Sequence, residues 1–152
     1  VALWQVEFQV IPRRALAATT LTSSVLANTD WWVGHRFPPD YRARLAVVVV
    51  TAPYSTGGQE TWGTEDGNRV DVWSEEGHVR RVTTRVDVRR LDSRFGAALL
   101  DFVRKADAVL VRSDGLVVEP LVGAYAGALR NSKAWGFASD SAAFFAANDE
   151  DE

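Results

Sequence analysis

RVDVWSEEGHVRRVTTRVDVR, residues 69–89, decides how this chain folds. Val70 and Val72 alternate with Asp71 and Trp73, and beyond Glu75-Glu76-Gly77 the alternation resumes as Val82, Thr84, Val86 and Val88. Period-two patterning on both sides of a glycine-bearing turn reads as a β-hairpin. A two-residue loop would pair Val72 with Arg81 and put the two valine rows on opposite faces of the sheet. A three-residue loop closed by Gly77 in the left-handed conformation pairs Val70 with Val82, Asp71 with Arg81 and Trp73 with Val79. That register gathers the valines on one face and sets Asp71 against Arg81, so it is the expected one. The opposite face of the long strand then carries Arg81, Thr83, Arg85, Asp87 and Arg89.

Downstream of this hairpin the period changes from two to helical. Phe95, Ala98, Leu99, Phe102, Val103 and Ala106 recur along one stripe, and Asp92 or Ser93 caps its start. Ala108 to Arg112 reads as a short apolar strand, Ser113-Asp114-Gly115 as a turn, and Leu116 to Val118 as the partner strand. Glu119-Pro120 opens a further helix through Tyr125 and Leu129, ended by Asn131-Ser132. Trp135 and Phe137 fall in the linker that follows, and a last short helix carries Phe144 and Phe145.

Upstream, Trp4, Val6, Phe8 and Val10 alternate with Gln5, Glu7 and Gln9 in a half-buried strand that Pro12 ends. Residues 13–30 are rich in Ala, Thr and Ser and read as a loop with at most one helical turn. A helix starts at Pro38-Pro39-Asp40 and runs through Tyr41, Leu45 and Val48, with Val47 to Val50 competing as a strand. Ala52 to Gln59 reads as a loop. Glu60 to Gly63 adds a strand to the hairpin through a Glu65-Asp66-Gly67-Asn68 turn. The expected fold is a single α+β domain over residues 1–148, with a mainly antiparallel sheet of about 5–6 strands and helices packed on one face.

Composition narrows the function classes. The chain has 152 residues, 47% of them apolar, enough for one real core. It lacks cysteine, which removes disulfides, thiolate nucleophiles and thiolate metal sites. No apolar run is long enough to span a bilayer. No charged-then-apolar leader stands at its start, and a cytoplasmic protein without membrane contact is expected. The net charge of −3 is uneven. Residues 1–148 carry 17 basic and 16 acidic groups, so the body is nearly neutral, which disfavours a nucleic-acid partner.

Catalytic constellations are missing from the sequence. His35 lies in a loop beside Arg36, and His78 sits at the hairpin tip after Glu75 and Glu76, with no convergent ligand set around either. There is no G-x-S-x-G elbow, Walker loop, G-x-G-x-x-G or H-E-x-x-H. No metal, cofactor or catalytic residue is expected. Arg81, Arg85 and Arg89 share a strand face with Asp87, and guanidinium forks in such a row suit carboxylates or phosphates. The same row also fits a solvated face held by cross-strand ion pairs. Trp31, Trp32 and Trp62 fall in loops or short edges. If exposed they would mark a recognition surface, while core filling is the default for tryptophan. The candidate binding residues are therefore Arg81, Arg85, Asp87, Arg89, Trp31, Trp32 and Trp62.

Trp4-x-Val6-x-Phe8, Arg85-Val86-Asp87-Val88-Arg89, Ala108-Val109-Leu110-Val111 with Asp114-Gly115, and Arg130-x-Ser132-x-Ala134 resemble in layout small bacterial proteins of unknown function, some of them immunity proteins of polymorphic-toxin systems. The resemblance implies a non-catalytic interaction protein with a protein partner. Two alternatives stand beside it. One is a small hydrolase-type enzyme using Asp71, Asp87 and Arg85 on one sheet face. The other is a binder of an anionic small molecule that uses the arginine row.

The four acids from Asp149 to Glu152 bury no apolar area that could offset the entropy of ordering them, and they read as a disordered tail. Deleting them should leave the denaturation midpoint unchanged. A clear drop would mean that the tail docks on the domain.

Overall fold

A computed structural model describes residues 1–48 and 54–139. Along the chain run β1 (Gln5–Pro12), α1 (Arg13–Ala17), α2 (Ser23–Asn28), α3 (Tyr41–Val48), β2 (Tyr54–Thr56) and β3 (Gln59–Gly63). They are followed by β4 (Arg69–Glu75), β5 (His78–Asp87), α4 (Ser93–Lys105), β6 (Ala108–Arg112), β7 (Val117–Val118), α5 (Val122–Arg130) and α6 (Lys133–Ser139). Among the described residues one antiparallel sheet takes all seven strands in the order β2-β3-β4-β5-β1-β6-β7. This is the α+β domain expected, with one strand more than the sequence suggested. The reading of a last helix around Phe144 and the acidic tail both lie outside the described residues.

The central hairpin keeps its valines together by a different route from the one expected. Its loop has two residues, Glu76 and Gly77, both at positive φ (52° and 78°), with Glu75 paired to His78. Paired positive φ values match the right-handed twist of the flanking strands. Such a loop alone would split the valine rows. Arg80 is an extra residue on β5, a β-bulge that shifts the register between Trp73 and Ser74. Beyond it Val72 pairs with Val82, Val70 with Thr84 and Asp71 with Thr83, two residues from the expected pairing. The expected Asp71–Arg81 pair is therefore not formed. The Arg80 carbonyl accepts a hydrogen bond from Trp32 N–H at 3.0 Å, which occupies one backbone group at the bulge.

β2 lies in the stretch that reads as a loop. Thr56 pairs with Gln59 across Gly57-Gly58, both at positive φ, a second two-residue hairpin. A Cβ at Gly58 would stand 2.7 Å from the Ser74 carbonyl oxygen, so the close approach of the two hairpins requires glycine there. The glycine doublet was the available signal.

One face of the sheet is largely apolar, with Thr84, Glu60 and Arg112 also on it by register. Val6, Phe8, Val10, Trp62, Val70, Val72, Val82, Val86 and Leu110 share it by register, and all are buried. Helices α3, α4 and α5 pack here. In α4, whose start is capped by the Asp92 carboxylate accepting from the Arg94 and Phe95 N–H groups, Phe95, Leu99, Phe102 and Val103 turn inward. Phe37 links this helix to the rest of the core, edge-on to Trp32, Tyr41 and Phe102 at centroid distances of 4.8, 5.2 and 5.8 Å. Tyr125 of α5 stands 6.3 Å from the Phe8 ring, and burial pushes its phenol well above the ordinary range. Trp135 and Phe137, expected in a linker, belong to α6, where Phe137 stacks on Trp4. Among the described residues no helix is long and apolar enough to cross a membrane.

Two short helices, α1 and α2, replace the expected loop after β1. Thr22 caps α2 by accepting from Val25 N–H. The helix lies over the other, polar face of the sheet, where Gln9 and Arg81 donate side-chain hydrogen bonds to the Leu26 and Ala27 carbonyls.

Phe102 is 1% exposed, so Phe102→Ala should cost roughly 3–5 kcal/mol in chemical denaturation, the range of core phenylalanine truncations. A loss below about 1 kcal/mol would show that this stripe is not the core face.

A polar latch ties α3 to β3. Glu60 accepts from Tyr41 Oη at 2.7 Å and from both Nε and Nη2 of Arg42 at 3.0 and 2.8 Å. Burial alone would raise the Glu60 carboxyl, but the hydrogen bonds from Arg42 and Tyr41 outweigh it and hold the group below its ordinary value. Burial, reinforced by Glu60, pushes the Tyr41 phenol up to about 12. With its folded value below the unfolded one of about 4.3, Glu60 stabilises the fold fully above that pH and loses its contribution as pH falls through the folded value. The tyrosine contribution persists to alkaline pH and goes as pH rises through about 12. The urea midpoint of the parent should therefore fall more between about pH 6 and about pH 3 than that of Glu60→Gln. Parallel pH dependence in the two proteins would refute the latch.

Candidate functional site

Alternation on β1, β4 and β5 puts Glu7, Gln9, Trp73, Arg81, Thr83 and Arg85 on the polar face. With α2 on one side and the bulged hairpin on the other, these residues floor an open cleft of about 770 Å³, whose walls include Asp30, Glu75, Arg80 and Ser113. Register sets Glu7 directly across from Arg85, and Gln9 across from Thr83. Gln9 is thereby flanked diagonally by Arg85 on one side and Arg81 on the other.

Charge in this cleft is balanced, with Glu7, Asp30 and Glu75 against Arg80, Arg81 and Arg85. Arg80 meets Glu75 at 2.8 Å and Asp30 at 3.6 Å. Arg81 reaches Asp30 at 3.3 Å and donates to the Ala27 carbonyl at 3.0 Å. Arg85 is different. Its only ion-pair contact among the described residues is Glu7 at 4.0 Å, too long for a hydrogen bond. Its side chain is 24% exposed and that of Glu7 26%, so both ends of this loose pair reach the cleft.

Four buried side-chain polar atoms lack a hydrogen-bond partner among the described residues, and three of them belong to this cleft: Gln9 Oε1, Arg81 Nε and Arg85 Nε. The fourth, Trp62 Nε1, belongs to the apolar face. A buried polar group without a partner costs on the order of 1–3 kcal/mol, and a native fold holds few of them. The orientation of the Gln9 amide follows from its network. Nε2 donates to the Leu26 carbonyl, so Oε1 is the atom left without a partner among the described residues.

The other expected site residues do not join Arg81 and Arg85. Asp87 is chelated by Arg89, whose Nη2 and Nε approach its carboxylate at 2.8 and 3.1 Å. The Arg89 guanidinium lies 4.0 Å over the Trp4 ring. Asp71 is fully buried and accepts from Arg69 at 2.7 and 2.9 Å, from Thr61 at 2.6 Å and from Gln59 at 3.0 Å. Asp71, Asp87 and Arg85 share the polar face by register, but neither carboxylate lines the cleft that Arg85 reaches. Trp31, Trp32 and Trp62 are 3%, 1% and 4% exposed, and they fill the core instead of a recognition surface. Trp32 Nε1 donates to the Val10 carbonyl at 2.8 Å.

Glu7, Gln9, Asp30, Arg80 and Ser113 were not singled out from the sequence. Glu7 and Gln9 were visible as the polar row of β1, and pairing that row with the arginine row would have matched Glu7 to Arg85. A second cleft of about 790 Å³ near the hairpin tip brings His35 and His78 to one lining with Glu75, Glu76 and Arg36. Among the described residues no three acidic or histidine side chains converge to hold a metal ion. Comparison with protein families, curated proteins and solved structures finds no match for this chain.

Proposed function

We propose that this chain is a non-catalytic binding protein of the immunity type, which holds a toxin partner through the cleft on the polar face of its sheet. The observation that carries the reading is Arg85, a partly exposed guanidinium whose only ion-pair contact among the described residues is the 4.0 Å one to Glu7. A partner seated in the cleft would complete the Arg85 side chain. Further support comes from Asp71 and Asp87. Each is held by an arginine of its own strand or the residues just after it, which leaves neither available for acid–base work. The balanced charge of the cleft favours a protein surface with mixed donors and acceptors over a free anion.

Where a toxin is encoded beside its gene, co-expression of the two should restore growth of the host cell. Arg85→Ala should weaken that complex roughly 10- to 100-fold, the effect of losing one charge-assisted hydrogen-bonding group. Its folding stability should stay within about 0.5 kcal/mol of the parent, because its only ion pair among the described residues is the loose one to Glu7. If the variant unfolds while its surviving folded fraction binds normally, Arg85 is an internal structural arginine and the proposal fails. It also fails if the neighbouring toxin neither binds nor is neutralised.

A further inference from the structure

We infer that Trp73 is the anchor of this cleft and that the partner seats an uncharged aromatic side chain on it. The inference rests on the reading of this cleft as the binding site and names what the partner presents there. Among the described residues Trp73 is the only aromatic side chain in the lining. It stands on the polar face of β4, half-buried, with Arg81 directly across on β5 and Gln59 directly across on β3. Its indole N–H has no hydrogen-bond partner among the described residues, whereas those of Trp4, Trp31 and Trp32 donate to main-chain carbonyls. Trp31, Trp32 and Trp62 fill the core, and Trp73 is the tryptophan that the fold leaves at the cleft. Tryptophan in a cleft with a polar border is the residue type on which binding energy concentrates at protein interfaces.

The neighbours of the indole set the chemistry of its occupant. A cation is drawn to the face of an indole, but it also needs a carboxylate to balance it. The two acids that flank Trp73 on β4, Asp71 and Glu75, are taken by Arg69 and Arg80 at 2.7 and 2.8 Å. Asp30 is taken by Arg81 at 3.3 Å. Glu7, the loosely held acid, lies on β1, two strands from β4 and so about 9–10 Å to the side. A carboxylate fares no better, because the quadrupole of the ring turns its negative face outward. A neutral side chain breaks no ion pair and displaces only water from apolar surface. An aromatic one gains more than an aliphatic one, since it stacks offset on the indole and lies against the Arg81 guanidinium. The Arg80–Glu75 and Arg81–Asp30 pairs then form a polar rim that keeps water from the apolar contact.

The test titrates the whole chain, labelled with ¹⁵N, with N-acetyl-phenylalaninamide, N-acetyl-leucinamide, N-acetyl-lysinamide and acetate. The Trp73 indole N–H resonance, assigned by its loss in Trp73→Phe, reports occupancy, and that of buried Trp32 serves as the control. The phenylalanine probe should half-saturate at a concentration at least about threefold below the leucine probe, the margin of an aromatic pair over its area alone. It should bind at least about tenfold more tightly than the lysine probe or acetate, neither of which finds a free counter-charge beside the indole. Its affinity should change less than about twofold between about 0.02 and about 0.5 M salt, because a neutral ligand loses little to screening. Tighter binding of any other probe at this resonance would overturn the aromatic reading, as would no shift with the phenylalanine probe to its limit of solubility. Against a toxin partner, Trp73→Ala should weaken the complex at least about 30-fold, and Trp73→Phe, which keeps a ring, less than about fivefold. Equal losses in the two variants would overturn the reading. Should Trp73→Ala fail to fold, Trp73→Phe and the titration of the parent decide the matter. If the phenylalanine probe fails while Arg85→Ala still releases the toxin, the aromatic reading falls and the proposed function stands. If Arg85→Ala also leaves the toxin bound, both fall.

Discussion

Pairing of β1 with both β5 and β6 is the constraint on which the rest of the structure depends. The chain lays down β2 to β5 as a meander, then uses α4 to cross over and place β6 on the far side of β1. β1 thus closes contacts some 80 residues away, with Gln5 opposite Asp87 and Gln9 opposite Thr83. Such long-range closure is entropically costly and is offset by burying Val6, Phe8 and Val10 in the centre of the sheet. The same pairing puts Glu7 against Arg85 and Gln9 beside Thr83 on the opposite face. Core and cleft are two sides of one strand.

Local geometry at the hairpin tip decides whether those two sides stay distinct. A two-residue turn offsets the strands by an odd count, and without correction it would drive one valine row into the polar face. The bulge at Arg80 restores the parity and also bends the strand end toward α2 and Trp32. Arg80 and Arg81 consequently both reach Asp30. The polar wall of the cleft is a by-product of the device that keeps the core apolar.

Two of the arginine–carboxylate pairs on the polar face are in opposite states. Arg69 and Asp71 are buried, joined by two hydrogen bonds, and supported by Thr61 and Gln59. A pair so enclosed is stiff, because removing one partner would strand a buried charge at a cost of roughly 3–5 kcal/mol. Glu7 and Arg85, one strand over, touch at 4.0 Å and remain partly solvated. Exposed ion pairs contribute about 0–1 kcal/mol, so this one opens easily. Rigidity beside an easily opened pair is an arrangement suited to binding.

Sequence patterning by itself determined the strands of β1, β3, β4, β5 and β6, the α4 stripe with its Asp92 cap, and the gathering of the valines on one face. These follow from local periodicity, which depends only on residues a few positions apart. The polar row of Arg81, Arg85 and Asp87 was legible for the same reason. Only the tertiary structure decided what each member of that row does. Whether Asp71 meets Arg81 or Arg69 turns on a one-residue bulge, which leaves the hydrophobic alternation of both strands intact. Whether Arg85 meets Glu7 turns on which strand lies beside β5, and the alternation of β1 is equally compatible with either edge of the hairpin. Trp31, Trp32 and Trp62 carry no periodicity that separates a buried loop tryptophan from an exposed one. Their burial follows from the layer of helices and loops folded over the sheet, a contact between segments far apart in the chain.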